Sequence, residues 1–391
     1  MVDVSPEMQF VREFTKVLEA RLLEKLNFIQ VVMGPRQVGK TTALEQICAR
    51  FPGPTHMVSA DEFAPPHADW IELNWKMAES KGLGTLLVID EIQKIPNWSV
   101  VVKRLFDAQR SERRLKVVLL GSASLMLQKG LTESLAGRYE VVFSRHWNFK
   151  ECHEAFGWDL NSYLKFGGYP AAAEICADTK RWRDFMNHSI IEPVLLRDLL
   201  SMAVVNKPAL FRQAFILCLA YPAMEISLQK LLGQLQDAGN VTTLKHYLEL
   251  FEGAFLIKAL QKYSGSEIKK RGSSPKILPL NTGLVNAQRD PSDVDRDPEW
   301  RGHLFECAIG AELSNQFDEV MYWREGGSEV DFVVKTSSAL FAIEVKSGRR
   351  RRPGGLAQFV ARYPACTPMI LDLDQGTRLL SGTPLEEIQK H

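Results

Sequence analysis

Paired cysteines are missing from this 391-residue chain. Its six cysteines, Cys48, Cys152, Cys176, Cys218, Cys307 and Cys366, are scattered, with no C-x-x-C pair and no histidine cluster nearby. That spacing excludes a disulfide framework and a zinc site, and predicts reduced, mostly buried thiols. Net charge is nearly absent too. With 48 Lys and Arg against 47 Asp and Glu, +1 remains, so no whole-chain field selects a partner and any nucleic-acid surface has to be a local patch. No apolar run approaches the length that spans a bilayer, and the start Met1-Val2-Asp3-Val4-Ser5-Pro6-Glu7 lacks the basic and apolar segments of a secretory signal. The expectation is a cytoplasmic, soluble protein with no membrane partner. At 45% apolar residues, an ordinary globular content, a chain of this length is expected to form two or three domains.

What is present is concentrated in one stretch, Gly34-Pro35-Arg36-Gln37-Val38-Gly39-Lys40-Thr41-Thr42. It follows the apolar run Phe28–Met33 and precedes Ala43-Leu44-Glu45-Gln46-Ile47, so a strand, a glycine loop and a helix start are predicted. This is the Walker A pattern in its expected context. Gly34 and Gly39 let the backbone bend so that its N–H groups face a triphosphate above a helix N-terminus. Lys40 reaches the β- and γ-phosphates in this reading, and the Thr41 hydroxyl holds Mg²⁺. Upstream, apolar positions between Gln9 and Lys25 recur at helical spacing, which predicts a packing helix.

The run Thr85-Leu86-Leu87-Val88-Ile89-Asp90-Glu91 reads as a buried parallel strand whose C-terminal edge carries acids, a Walker B pattern. Asp90 orients Mg²⁺ and its waters, and Glu91 polarises the water that attacks the γ-phosphate. A third buried strand, Lys116–Leu120, ends in Gly121-Ser122-Ala123-Ser124. There Ser122 or Ser124 either senses the γ-phosphate or caps the next helix. Arg138, after the Gly137 turn, is either an arginine finger for a neighbouring subunit or a plain surface arginine.

With GPRQVGKTT, LLVIDEIQ, GSASLML, ESLAGR and YLKFGGYP in succession, the chain resembles the prokaryotic AAA-type ATPases whose C-terminal half is a domain of unknown function. The resemblance covers nearly the whole chain. It implies an α/β P-loop ATPase core over 1–146, a helical lid over 147–189, and frequent assembly into homo-oligomers. It carries the catalytic roles to Lys40, Thr41, Asp90 and Glu91, with Arg138 as finger.

From Ile190 the text changes, and a linker helix precedes two helical runs, Glu225–Leu232 and Thr242–Phe251, separated by Asp237-Ala238-Gly239-Asn240. Family members are similar to winged-helix modules here, which gives a module over 190–265. Its second helix offers Thr242, Thr243, Lys245 and His246 to DNA, or the module packs against protein instead. Lys269-Lys270-Arg271 forms a basic loop, solvated or touching phosphates. In Lys276–Leu284 the family commonly has an aspartate where Asn281 stands.

Near the C-terminus a helix through Glu306, a hairpin with Glu329 and Asp331, and a strand ending Glu344-Val345-Lys346 follow one another. This layout resembles the restriction-endonuclease-like superfamily, placing such an α/β domain over 266–391. Asp331 and Glu344 then share a divalent metal, Mg²⁺ or Mn²⁺, with Glu306 as a further ligand and Glu329 as a weaker candidate. Lys346 projects from the same strand face as Glu344 and activates water against a phosphodiester. The domain either cleaves DNA or keeps these residues for binding or a structural ion-pair network. The adjacent Arg349-Arg350-Arg351-Arg352 is a solvated loop or a contact to phosphate backbone.

Two functions follow. One is an ATPase acting on DNA, with a nuclease-like domain that cuts or grips it; the other is an ATP-dependent assembly switch with a silent C-terminal domain. A P-loop kinase fits poorly, because Asp90-Glu91 sets a water-activating acid at the γ-phosphate.

Overall fold

The computed structural model describes residues 10–62, 67–109, 115–121, 134–200, 205, 207–235, 240–264, 273–348 and 354–389. Ser122, Ser124, the 237–239 break, the 269–271 loop and the 349–352 run lie outside them. The chain divides into two compact units, Met1–Arg145 and His146–His391.

The first unit is built on a parallel sheet of β1 (Ile29–Met33), β2 (Thr55–Ser59), β3 (Thr85–Asp90), β4 (Leu115–Gly121) and β5 (Tyr139–Phe143), in the order β2-β3-β4-β1-β5. Every residue of β1 and β3 is buried, which is why they read as predominantly apolar runs and not as alternation. Ile29, Val31 and Met33 pack with Trp70, Ile71 and Trp75 of α3 (Ala68–Ser80) and Val101 and Val102 of α4 (Trp98–Ala108). On the opposite face, Val32, Leu86 and Val88 meet Phe14, Leu18 and Leu22 of α1 (Glu13–Leu23) and Ala43, Leu44 and Ile47 of α2 (Lys40–Arg50). With both faces covered, chemistry is left to the ends of the strands. In α1, Val17 and Leu23 remain exposed, so only part of its apolar pattern is core.

The second unit opens with helices Phe149–Phe156 and Leu160–Phe166, then Thr179–Phe185 running on as π-helical turns over Met186–Ile191 and Pro193–Leu199. Helix Pro208–Ala220, the short strand β6 (Met224–Glu225), and helices Leu228–Gln234 and Val241–Gly253 follow. Glu225 was expected to open the first of these last two helices, but Ser227 ends that possibility. Its hydroxyl accepts the N–H of Lys230 (3.1 Å) as an N-cap, leaving Glu225 to the strand. Asn240 caps the next helix in the same way, through the N–H of Thr243 at 2.7 Å. Strands β7 (Ile257–Leu260) and β8 (Lys276–Pro279) complete an antiparallel sheet of order β6-β8-β7. The sheet thus includes β8, which lies past residue 265.

Helix Pro298–Gln316 then precedes β9 (Glu319–Glu325), β10 (Ser328–Lys335) and β11 (Leu340–Val345), with helix Gly354–Arg362 crossing to β12 (Thr367–Leu371). The sheet has the order β12-β11-β10-β9, parallel only between β11 and β12. On β10, Asp331 and Phe332 oppose the single residue Tyr322 of β9, a bulge. The backbone groups of Tyr322 turn instead to Gln261 and Tyr263, which follow β7. All six cysteines are free. Among the described residues, no helix is long and apolar enough to cross a membrane.

One buried amide ties three elements of this unit together. Asn286 donates to the carbonyls of Leu164 and Lys165, both at 2.8 Å, and accepts the indole N–H of Trp300 at 3.1 Å. Replacing it by alanine strands those partners away from water. We expect Asn286→Ala to lose about 2–4 kcal/mol in urea unfolding, whereas a loss under about 0.5 kcal/mol means water takes over all three bonds.

Candidate functional site

The C-terminal edge of the parallel sheet gathers the Walker residues. Lys40 opens α2 behind Gly39, whose φ of 81° lies in the left-handed region open to glycine. Gly34 is required for a different reason than a bend. A Cβ there would stand 1.8 Å from the carbonyl oxygen of Ser144, at the end of β5. Arg12, which no local pattern singles out, closes the loop from the other side. Its guanidinium donates to the Val38 carbonyl (3.0 Å), Ser144 Oγ (3.1 Å) and the Arg145 carbonyl (3.0 Å). Pro35, Arg36, Gln37 and Val38 thus form a loop held at both ends, with Gln37 at φ 55°.

Lys40 is buried, and its ammonium donates to the carbonyls of Gly34 (3.1 Å) and Pro35 (2.5 Å). Burial lowers its pKa from the ordinary 10.5 to about 8, against the pull of Glu91 and Asp90. Carbonyl dipoles only partly answer its charge, so it is set to receive an anionic ligand. Thr41 Oγ1 donates to Asp90 Oδ2 at 2.7 Å, joining the Walker A helix to the end of β3. A hydroxyl and a carboxylate in contact fit Mg²⁺, an ion that takes few protein oxygens and keeps waters and substrate phosphates for the rest. Thr42, next on α2, is exposed.

Glu91 leaves β3 with φ 52°, a strained conformation for a residue with a Cβ. Its N–H returns to Asp90 Oδ1 (2.8 Å) and its Oε2 accepts from Gln93 Nε2 (2.5 Å). Strain at this one acid, beside Lys40 and Asp90, is an observation that points to function.

Arg138 lies elsewhere. It precedes β5, and its carbonyl accepts the N–H of Ile29 at the start of β1, so it stands at the opposite edge of the sheet, about 13 Å of strand from the loop. Asp107 on α4 grips its guanidinium with both oxygens, at 2.7 and 2.9 Å. That pair holds α4 to β5 within the same chain.

In the second unit the helix Val241–Gly253 buries Leu244, Tyr247, Leu248 and Phe251 and leaves Thr242, Lys245 and His246 exposed, with Thr243 half-buried. Glu249 pairs with His246 on that face (3.9 Å). Asn281, at the position where an aspartate was expected, is buried and caps the short helix after it, its Oδ1 accepting from the N–H of Gly283 at 2.9 Å.

The C-terminal acids are drawn to a lysine. Glu306, Glu329 and Asp331 converge on the ammonium of Lys276 from β8, at 2.6, 3.3 and 3.8 Å. Asp331 Oδ2 is taken by the N–H of Val345 (2.8 Å). Glu344 is buried, pairs with Lys346 (3.1 Å) and accepts the N–H of Leu356 (3.0 Å). Among the described residues no group of three or more His, Cys, Asp or Glu is arranged to hold a metal ion. Glu306 and Asp331, expected as metal ligands, share Lys276 as their ion-pair partner, while Glu344 pairs with Lys346.

Comparison with known proteins supports an AAA-type fold for the N-terminal part of the chain. Residues 26–153 match the family model described as AAA domain, and 157–295 and 301–381 match two domains of unknown function, DUF8612 and DUF4143. An uncharacterised protein of Mycobacterium tuberculosis is 30% identical over 343 residues, covering 84% of this chain and 72% of that one. An uncharacterised protein of Methanocaldococcus jannaschii is 25% identical over 334 residues, with 79% and 72% covered. Among solved structures, the Walker-type ATPase of Pyrococcus abyssi superposes with a TM-score of 0.51 at 15% identity, over 73% of this chain and 99% of that one. The shared strand plan and the Walker geometry agree with these matches, and the chain belongs to the family of the mycobacterial protein, as an AAA-type ATPase that carries further C-terminal domains of unknown function.

Proposed function

We propose that this chain couples ATP hydrolysis at the P-loop to a hold on DNA, through a winged-helix module and a C-terminal domain built on the restriction-endonuclease-like plan. The observation that carries the proposal is the Thr41–Asp90 contact, which brings the Walker A helix and the Walker B strand to one point beside Lys40. In this reading Lys40 leaves the Gly34 and Pro35 carbonyls for the β- and γ-phosphates. Thr41 and Asp90 would hold Mg²⁺, and the ion would supply positive charge to offset that of the phosphates. Glu91 orients a water and accepts its proton as the oxygen attacks the γ-phosphorus and the bond to the β-phosphate oxygen breaks.

The winged-helix assignment rests on three helices with a sheet of order β6-β8-β7, and on the polar face of the helix Val241–Gly253. Thr242, Lys245 and His246 on that face are its candidate DNA contacts. The nuclease-like plan is supported by the run of helix, β9, β10, β11, helix, β12, with Asp331 and Glu344 on adjacent strands. Arg138 reaches only a neighbouring subunit's nucleotide from its edge of the sheet, and only on leaving Asp107. Its place in a homo-oligomer is part of the proposal. A second reading, an ATP-dependent assembly switch with a silent C-terminal domain, is favoured by one observation, the lysine among the carboxylates.

Lys40→Ala is expected to lose nucleotide binding. Glu91→Gln should keep it while turnover falls by roughly 10²–10⁴-fold; undiminished hydrolysis by that variant would remove Glu91 as the base. DNA should raise the ATPase rate of the wild type, and the effect should fade steeply between roughly 50 and 200 mM salt. Lys245→Ala is expected to weaken it, and a rate indifferent to DNA at low salt leaves the switch reading.

The depressed pKa of Lys40 sets a pH dependence. A phosphate ligand binds the ammonium, so above pH 8 binding must take up a proton that the free protein has lost. Calorimetry from about pH 7 to 10 should show affinity falling by up to about tenfold per unit above pH 8, with net proton uptake. A flat profile contradicts the role given to Lys40.

A further inference from the structure

We propose that Lys276 is the resident cation of the C-terminal domain: its ammonium stands where a divalent metal would bridge Glu306 and Asp331, so that this carboxylate cluster is a lock and not a cleavage site. The metal half of the inference rests on the nuclease-like reading. The lock itself rests on geometry.

Lys276 is fully buried, and every surrounding element contributes to its charge balance. Helix Pro298–Gln316 supplies Glu306, and β10 supplies Glu329, Asp331 and the Asp331 carbonyl at 3.3 Å. The ring of Phe332 lies 5.2 Å from the ammonium. Burial opposes the charge, but Glu306, Asp331 and Glu329 outweigh it and hold the lysine above its ordinary pKa. An ammonium in the middle of the acids leaves no room for a second cation of higher charge, because the two repel at contact distance.

The lysine is also poorly able to withdraw. It stands at the first position of β8, and β8 is the middle strand of its sheet, paired with β6 through Glu225 and with β7 through Leu260. Around the cluster, Arg324 of β9 pairs with Glu225 of β6 (3.0 Å), and the Tyr322 backbone bonds to Gln261 and Tyr263. Moving Lys276 out would break these contacts and leave three acids facing one another. The bulge at Asp331 serves the same arrangement. It turns that carboxylate toward the Val345 N–H and the lysine while freeing Tyr322 to bind the hairpin.

The test uses the full chain without nucleotide, in a background of Asp90→Asn so that the ATPase site holds no metal. Mn²⁺ binding is read by the paramagnetic resonance signal of the free ion, and stability by thermal unfolding in EDTA and in Mn²⁺. With Lys276 in place, no Mn²⁺ is expected to bind and the melting temperature should be the same in both. Lys276→Met keeps the length of the side chain and removes its charge. It should melt on the order of 6–15 °C lower in EDTA, with Mn²⁺ bound and part of the loss recovered. If that variant does not fold, Lys276→Met combined with Glu306→Gln and Asp331→Asn carries the test, since removing the charges together should restore folding without metal. Mn²⁺ bound by the lysine-containing chain and released by Asp331→Asn, or metal-dependent plasmid nicking by it, overturns the proposal while the nuclease-like reading stands. Lys276→Met that binds no Mn²⁺ overturns the metal half and the nuclease-like reading together. A Lys276→Met chain that melts like its parent overturns the lock.

Discussion

A positive charge taken out of water has to be answered by something nearby, and this chain answers two buried lysines in opposite ways. Lys40 faces two backbone carbonyls, which carry only partial charge, and its pKa falls to about 8. Lys276 faces three carboxylates, and its pKa rises. The first environment is incomplete until a ligand brings negative charge, and that incompleteness is what a phosphate site needs. The second is complete, so it offers a ligand nothing. The same side chain thus marks a site of chemistry in one unit and a structural joint in the other, and only its partners tell the two apart.

The first of these environments was largely legible in the sequence. Strands buried on both faces are mostly apolar, so β1, β3 and β4 announce themselves, and a glycine loop after one and an acid at the end of another define the catalytic edge. What was not legible depends on residues distant in sequence. The need for Gly34 comes from Ser144, and the loop is closed by Arg12 through partners 26 to 133 residues away. Arg138 reads as a free arginine until Asp107, 31 residues earlier, is seen to hold it. The strain at Glu91 is a backbone property that no residue name carries.

The second environment was half legible. Acids and lysine at Glu306, Asp331, Glu344 and Lys346 were assigned to a helix and neighbouring strands, because alternation and turn residues fix those elements locally. Their partners were misjudged, since charge balance is decided in three dimensions. Lys276 opens a four-residue strand that ends in proline, and no sequence pattern gives it a partner. Only the pairing of β8 between β6 and β7 carries it inward, to acids from a helix and a strand that come later in the chain.

That pairing has a mechanical consequence. A module that presents a helix to a ligand is useful to an ATPase only if its position is coupled to something, and a flexible tether would lose that coupling. Here β8 belongs to the sheet beneath the helix Val241–Gly253, yet its first side chain is fixed by the helix Pro298–Gln316 and by β10. Breaking a buried ion cluster costs far more than bending an exposed loop, because the separated charges would remain away from water. The helix–hairpin module and the C-terminal sheet should therefore move as one body. A force applied at the helix Val241–Gly253 would then be carried into the C-terminal sheet through Lys276.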